Sequence, residues 1–121
     1  MFSVIKGIGI DIIELDRIEK AVLKNKRFPA RVLTNKELKI YEKFSTDKRK
    51  VEFLAGRFAV KEAFAKALGT GIGKISFQDI EVLPNEAGSP CLSVSTFDPE
   101  KIFVSISHRK AYAVAQVIIT L

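Results

Sequence analysis

From residue 4 to residue 13 the chain alternates, reading Val-Ile-Lys-Gly-Ile-Gly-Ile-Asp-Ile-Ile. That period of two predicts a strand with Ile8, Ile10 and Ile12 on one face and Gly7, Gly9 and Asp11 on the other. The period then changes. Asp16-Arg17-Ile18-Glu19 reads as a helix start, with Asp16 at the N-cap and Glu19 three residues on, and Thr34-Asn35-Lys36-Glu37 repeats that capping box more cleanly. Two short helices are expected here, bracketing Pro29. Val51 to Leu68 holds neither Pro nor a turn cluster and is dominated by helix formers, so it predicts a long helix, ended by Gly69, Gly71 and Gly73. Beyond it come Ile75 to Leu83, a breaker-rich loop from Pro84 to Pro90, and short strands near 92–95, 102–107 and 113–119. The whole is an α+β pattern without internal repeat or linker.

Turning the long helix at about 100° per residue places Leu54, Ala55, Phe58 and Ala65 on one apolar stripe, with Glu62 inside it. A carboxylate at a core-facing position costs of the order of several kcal/mol unless it is paired with a Lys or Arg, neutralised, or bound to a metal. Beside it, Gly56, Ala59, Ala63 and Ala67 recur at spacings of three and four and make a face that another backbone can approach closely. If the bare strand face of Gly7 and Gly9 meets it, Asp11 comes to lie beside Glu62. Two converging carboxylates repel unless a cation lies between them, and two carboxylates completed by water and substrate phosphates are a common way to hold Mg²⁺. Arg57, Lys61 and Lys66 add cations to that surface and make phosphate the natural ligand, although most helical Lys residues are simply solvated.

Length and charge narrow the reading. The chain has 121 residues, 47% of them hydrophobic and 28% charged, which fits one globular domain spanning 1–121 and excludes disorder or a disulfide scaffold. No apolar run is long enough to span a bilayer, and Lys6 and Asp11 interrupt any secretory leader, so neither a membrane protein nor a secreted one is expected. Twenty Lys and Arg against 14 Asp and Glu give +6, which favours an acidic partner. One Cys and one His exclude a Cys/His zinc site, so a metal would be held by oxygen. On the strand of residues 102–108, Val104 and Ile106 are expected to be buried, with Ser105, Ser107 and His108 facing elsewhere; Ser107 beside His108 has the wrong side-chain directions for a Ser-His-Asp triad.

At these residues the sequence resembles the holo-acyl-carrier-protein synthase family, the short phosphopantetheinyl transferases. The resemblance is carried by Gly7-Ile8-Gly9-Ile10-Asp11-Ile12, by Arg31-Val32-Leu33-Thr34 with Glu37, by Gly56 to Phe64 with Lys66 to Gly71, by Asn85-x-x-Gly88-x-Pro90, and by Ser105-Ile106-Ser107-His108. It implies the phosphopantetheinyl transferase fold, a small antiparallel sheet packed with a long central helix and shorter helices. It implies transfer of 4′-phosphopantetheine from coenzyme A to a serine of apo acyl carrier protein, with release of adenosine 3′,5′-bisphosphate, in the cytoplasm and in the service of fatty acid biosynthesis. By the same resemblance Asp11 and Glu62 match magnesium ligands and, with Lys66, the catalytic set. Arg57, Lys61, Lys66, Gly69 and His108 match coenzyme A contacts, and Arg17, Arg27 and Arg31 match the basic residues that dock the acidic carrier. A homotrimer is implied, each active site taking the Asp/Glu pair from one chain and the Ser-x-Ser-His strand from the next.

Two other readings fit less of the sequence. A nucleic-acid-binding module would use the +6 charge and some of the nine Phe residues, but no aromatic and basic strand motif of the RNP kind is present. A noncatalytic subunit would not require the Asp11, Glu62 and Lys66 set.

Overall fold

The computed structural model describes residues 4–121, so the first three residues of the expected domain lie outside the described residues. The alternating segment forms β1 (Ile5–Glu14), which runs directly into α1 (Leu15–Lys24). Glu14 is therefore the N-cap, without a side-chain bond, and Asp16 sits in the first turn, where it pairs with Lys20 at 2.8 Å. The expected cap at Asp16 is thus displaced by the strand, which consumes the residues before it. Two helices follow, α2 (Phe28–Val32) and α3 (Asn35–Lys43). The Thr34 capping box is complete: its hydroxyl accepts from the Glu37 amide, and the Glu37 carboxylate accepts from the Thr34 amide.

The long helix α4 (Asp47–Leu68) starts one turn earlier than expected, capped by Thr46, and ends in the left-handed conformation of Gly69 (φ 82°). Its 22 residues span about 33 Å at 1.5 Å per residue. Residues 77–79 form one 3-10 turn, and β2 (Ile80–Pro84) then pairs with β3 (Pro90–Val94) as a separate hairpin. The last two strands, β4 (Ile102–His108) and β5 (Tyr112–Thr120), join β1 in an antiparallel sheet of order β1-β5-β4.

Helix α4 lies across one face of this sheet. Ala113, Ala115, Val117 and Ile119 of β5 are buried against it, as are Ala55, Ala59 and Ala63 of the helix. The approach is closest at β1. A methyl group added to Gly9 would overlap the carbonyl oxygen of Ala63, and one on Gly7 would overlap that of Ala67. The bare strand face and the bare helix face therefore do meet. The opposite sheet face is uncovered: Ile8, Ile10, Ile12 and Phe103 are 56%, 58%, 62% and 56% exposed. Most aromatic rings are used internally, with Phe58 between Phe28 and Phe77 and Phe64 edge-on to Phe97. No helix among the described residues is long and apolar enough to cross a membrane.

Candidate active site

The close packing of β1 on α4 decides where the charged groups go. Asp11 projects from the same strand face as Gly7 and Gly9, and Lys66 reaches it from the last turns of α4, its Nζ donating to Asp11 Oδ1 at 3.0 Å and to the Ile10 carbonyl at 3.1 Å. Asp11 is largely covered, with 15% side-chain exposure, while Lys66 is half exposed. Glu62, one turn before Lys66, has its carboxyl pushed up from the usual value by burial first and by the negative charge of Asp11 second, with Lys66 partly opposing. The two carboxylates and the lysine thus form one group at the junction of strand and helix. Glu62 itself is only half buried and stands at the edge of the helix interface, not at the core-facing position that the wheel gave it.

The core position belongs to its neighbour. Lys61, expected to face coenzyme A, is fully buried, and its three ammonium hydrogens have three acceptors: Glu37 Oε1 at 2.6 Å, the Val32 carbonyl at 2.6 Å and the Phe77 carbonyl at 3.1 Å. Glu37, also fully buried, accepts in turn from the amides of Thr34 at 2.8 Å and Val82 at 2.6 Å. Burial pulls the Lys61 ammonium below its usual range and Glu37 opposes the shift. No part of Lys61 is left to meet a ligand, which corrects its assignment as a coenzyme contact. In the sequence Glu37 stands as a cap residue and beside the Arg31 to Thr34 motif; nothing local signals a partner 24 positions away.

A cleft of about 370 Å³ opens beside the far end of this interface, lined by Phe44, Arg49, Glu52, Phe53, Arg57 and His108. Arg57 lies 4.1 Å over the Phe53 ring and its Nε donates to the Val82 carbonyl at 3.3 Å. Burial lowers its pKa, with Glu37 opposing, and a guanidinium so placed still carries its charge. His108 follows Val104 and Ile106 onto the helix side of β4, away from Ser105 and Ser107, and its Nε2 sits 3.0 Å from the Glu52 carbonyl oxygen. A carbonyl can only accept, so Nε2 carries the hydrogen. The expectation that His108 shares the serine face is corrected by the strand alternation itself. Arg49, which brings a further cation to this cleft, was not singled out from the sequence, where it reads as an ordinary charge in a charged turn.

Gly69 caps α4 with open space around it. Arg17, Arg27 and Arg31 are all exposed, on α1, at the start of α2 and near its end. The donor set at Asp11 and Glu62 is oxygen only, and no cluster of three or more His, Cys, Asp or Glu able to hold a metal occurs among the described residues. Two adjacent carboxylates, one with its proton affinity raised by burial and by the other's charge, fit a hard divalent cation that takes its remaining ligands from water and phosphate.

Strand, helix and paired carboxylates in this arrangement define a class. A family model of the 4′-phosphopantetheinyl transferase superfamily matches residues 7–117. The chain is 57% identical over 116 residues to the holo-[acyl-carrier-protein] synthase of Listeria innocua, covering 95% of this chain and 98% of the relative. It is 53% identical over 113 residues to that of Oceanobacillus iheyensis, covering 93% and 94%. It superposes with a TM-score of 0.87, at 50% identity and 98% coverage of both chains, on the crystal structure of a holo-(acyl-carrier-protein) synthase from Bacillus anthracis in complex with CoA (3′,5′-ADP). The chain therefore belongs to the 4′-phosphopantetheinyl transferase superfamily, among its holo-[acyl-carrier-protein] synthases.

Proposed function

We propose that the protein transfers 4′-phosphopantetheine from coenzyme A to a serine hydroxyl of apo acyl carrier protein, releasing adenosine 3′,5′-bisphosphate, in a Mg²⁺-dependent reaction. The observation that carries this reading is the convergence of Asp11, Glu62 and Lys66 where β1 meets α4. The serine oxygen bonds to the phosphorus that bears pantetheine, the bond from that phosphorus to the bridging oxygen breaks, and the serine proton is released. Negative charge grows on the leaving nucleotide, so cations fixed beforehand lower the barrier. Asp11 and Glu62 would hold Mg²⁺, which supplies charge neutralisation and a template for pyrophosphate oxygens. Lys66, half exposed at the rim of Asp11, supplies a mobile cation to the same oxygens. Arg57 and His108 bind the nucleotide end from the cationic cleft, and Gly69, at the other end of α4, lets the chain turn away beside Lys66 without a side chain in the path. Arg17, Arg27 and Arg31 receive the acidic carrier.

Incubation with coenzyme A, Mg²⁺ and an apo carrier protein, followed by intact mass, tests the reaction. A gain of one phosphopantetheinyl group per carrier is expected; no gain, or an equal gain after full metal chelation, overturns it. Lys66→Ala should lower kcat by about a hundredfold with a small change in KM for coenzyme A, because its charge matters most as charge develops. Arg57→Ala should do the reverse, raising KM for coenzyme A about tenfold by removing a charge-assisted contact in the cleft. Equal, pure KM effects in both would make Lys66 a binding residue only.

The exposed apolar sheet face supports self-association, which we read as the homotrimer, with active sites between subunits, that the family resemblance implies. Ile8, Ile10, Ile12 and Phe103 form a contiguous apolar face of the kind that monomers rarely leave in water, and Ser105 and Ser107 lie on the same side. Native mass of the intact chain should show three copies, and Ile10→Asp should give monomers with transfer reduced at least about tenfold. A wild-type monomer at micromolar concentration would remove the assembly from this reading.

A further inference from the structure

The short helix α2 carries Arg31 and begins just after Arg27. Five residues cannot hold a helix in isolation, because nucleation costs more than one or two hydrogen bonds return. The backbone carbonyls of residues 29 to 34 show what holds it. Pro29 accepts from the Leu33 amide and Thr34 from the Leu38 amide. Val32 accepts from Lys61. The other three, Ala30, Arg31 and Leu33, all face one side-chain amide, that of Gln78, whose Nε2 lies 2.8, 3.2 and 2.9 Å away; its two hydrogens serve three acceptors, so one of the bonds is shared. Gln78 comes from the 3-10 turn of residues 77–79, some 45 positions along the chain, and is itself exposed. Of the carbonyls that this helix end leaves unsatisfied, Lys61 closes that of Val32 from outside and Gln78 closes the other three.

We propose that Gln78 is a positioning residue for carrier docking: its amide clamps the end of α2 and so fixes Arg27 and Arg31 at the edge of the catalytic helix. This rests on the reading that those arginines receive an acidic carrier. Side-chain charges on a fixed platform recognise a helix of opposite charge in one register, whereas the same charges on a frayed segment attract without orienting. Gln78 touches neither the Asp11, Glu62 and Lys66 group nor the cleft of Arg57 and His108. Its loss should therefore act on one substrate only.

Gln78→Met keeps the length of the side chain and removes both donors. It should raise KM for the apo carrier about tenfold, with kcat and KM for coenzyme A within about twofold of wild type. Gln78→Asn, which keeps the amide on a shorter stem, should fall between the two. Amide exchange at Arg31 and Leu33 should accelerate by about tenfold or more in Gln78→Met, with the amides of α4 unchanged. Arg31→Glu serves as the reference and should itself raise KM for the carrier. An unchanged carrier KM in Gln78→Met, or carrier KM, coenzyme A KM and kcat deteriorating together, overturns the proposal. If Arg31→Glu leaves carrier KM unchanged, docking is elsewhere and the proposal falls with it. Should wild type modify no carrier at all, the functional reading fails first; faster exchange in α2 would then mark Gln78 as a clamp of the fold with no role in docking.

Discussion

Replacing Asp11 or Glu62 by alanine should reduce transfer by about a thousandfold or more, the scale seen when a main source of transition-state charge stabilisation is removed, while leaving the fold in place. The stability side has a definite sign. The Glu62 carboxyl is raised above its usual value of 4.5 by burial and by Asp11, so the folded chain binds that proton more tightly than the unfolded chain. The resulting stabilisation is fully present below the unfolded value and is lost as pH rises through the folded one. Above the folded value the ionised Glu62 therefore burdens the metal-free fold, and there Glu62→Ala should melt at the same temperature or slightly higher. Asp11→Ala gives up a half-exposed contact with Lys66, which is worth little, and relieves Glu62 at the same time. Mg²⁺ should raise the Tm of wild type by mass action and have no such effect on the double variant that combines Asp11→Ala with Glu62→Ala. Thermal melts across pH, with and without Mg²⁺, read all of this beside the kinetics. Near-normal turnover in either variant, or an equal Mg²⁺ shift in the double variant, would disprove the metal-site assignment.

What could be read from the sequence was whatever two local periods and a cap can specify. Gly7 and Gly9 on a strand and Ala63 and Ala67 on a helix are instructions for close backbone approach, and the chain uses them that way, which is why Asp11 and Glu62 come together. The Thr34 box closes within four residues and needed no tertiary information. The turn before Val51 carries no apolar signal, since Asp47 to Lys50 are all charged, and the pattern therefore starts the helix one turn late. The sequence leaves the angle around α4 unspecified. That helix is buried on nearly every side, so its apolar positions do not mark a single face, and a rotation of one residue exchanges Lys61 with Glu62. The sheet poses a related problem: alternation separates Ile8, Ile10 and Ile12 from Gly7 and Gly9, but nothing in it says that the larger side chains face outward. Gln78 left no trace at all, because a side chain that caps a helix 45 residues upstream is defined only by the fold.

Lys61→Met should cost about 3–5 kcal/mol of folding stability, the range for breaking a buried ion pair by removing one partner. The loss has two parts. Glu37 keeps its two backbone donors but loses its close counter-charge in a fully buried site, with Arg57 the remaining cation acting on it. The carbonyls of Val32 and Phe77 lose their ammonium donor. Methionine fills the space without replacing either. For a chain of this length such a loss corresponds to a fall in Tm of about 10–20 °C. Adding Glu37→Gln to Lys61→Met removes the stranded charge, so the double variant should be less destabilised than the sum of the single ones by more than about 1 kcal/mol. Glu37→Gln alone leaves the ammonium unpaired and should also be destabilised. Urea unfolding of the four proteins closes the cycle. Kinetics at a temperature where Lys61→Met is folded separate this from the coenzyme role that the motif implied: KM for coenzyme A should stay near wild type. A variant as stable as wild type with a greatly raised KM for coenzyme A would mean that Lys61 faces the ligand after all, and that the buried pair with Glu37 is not what holds α2, α3 and α4 together.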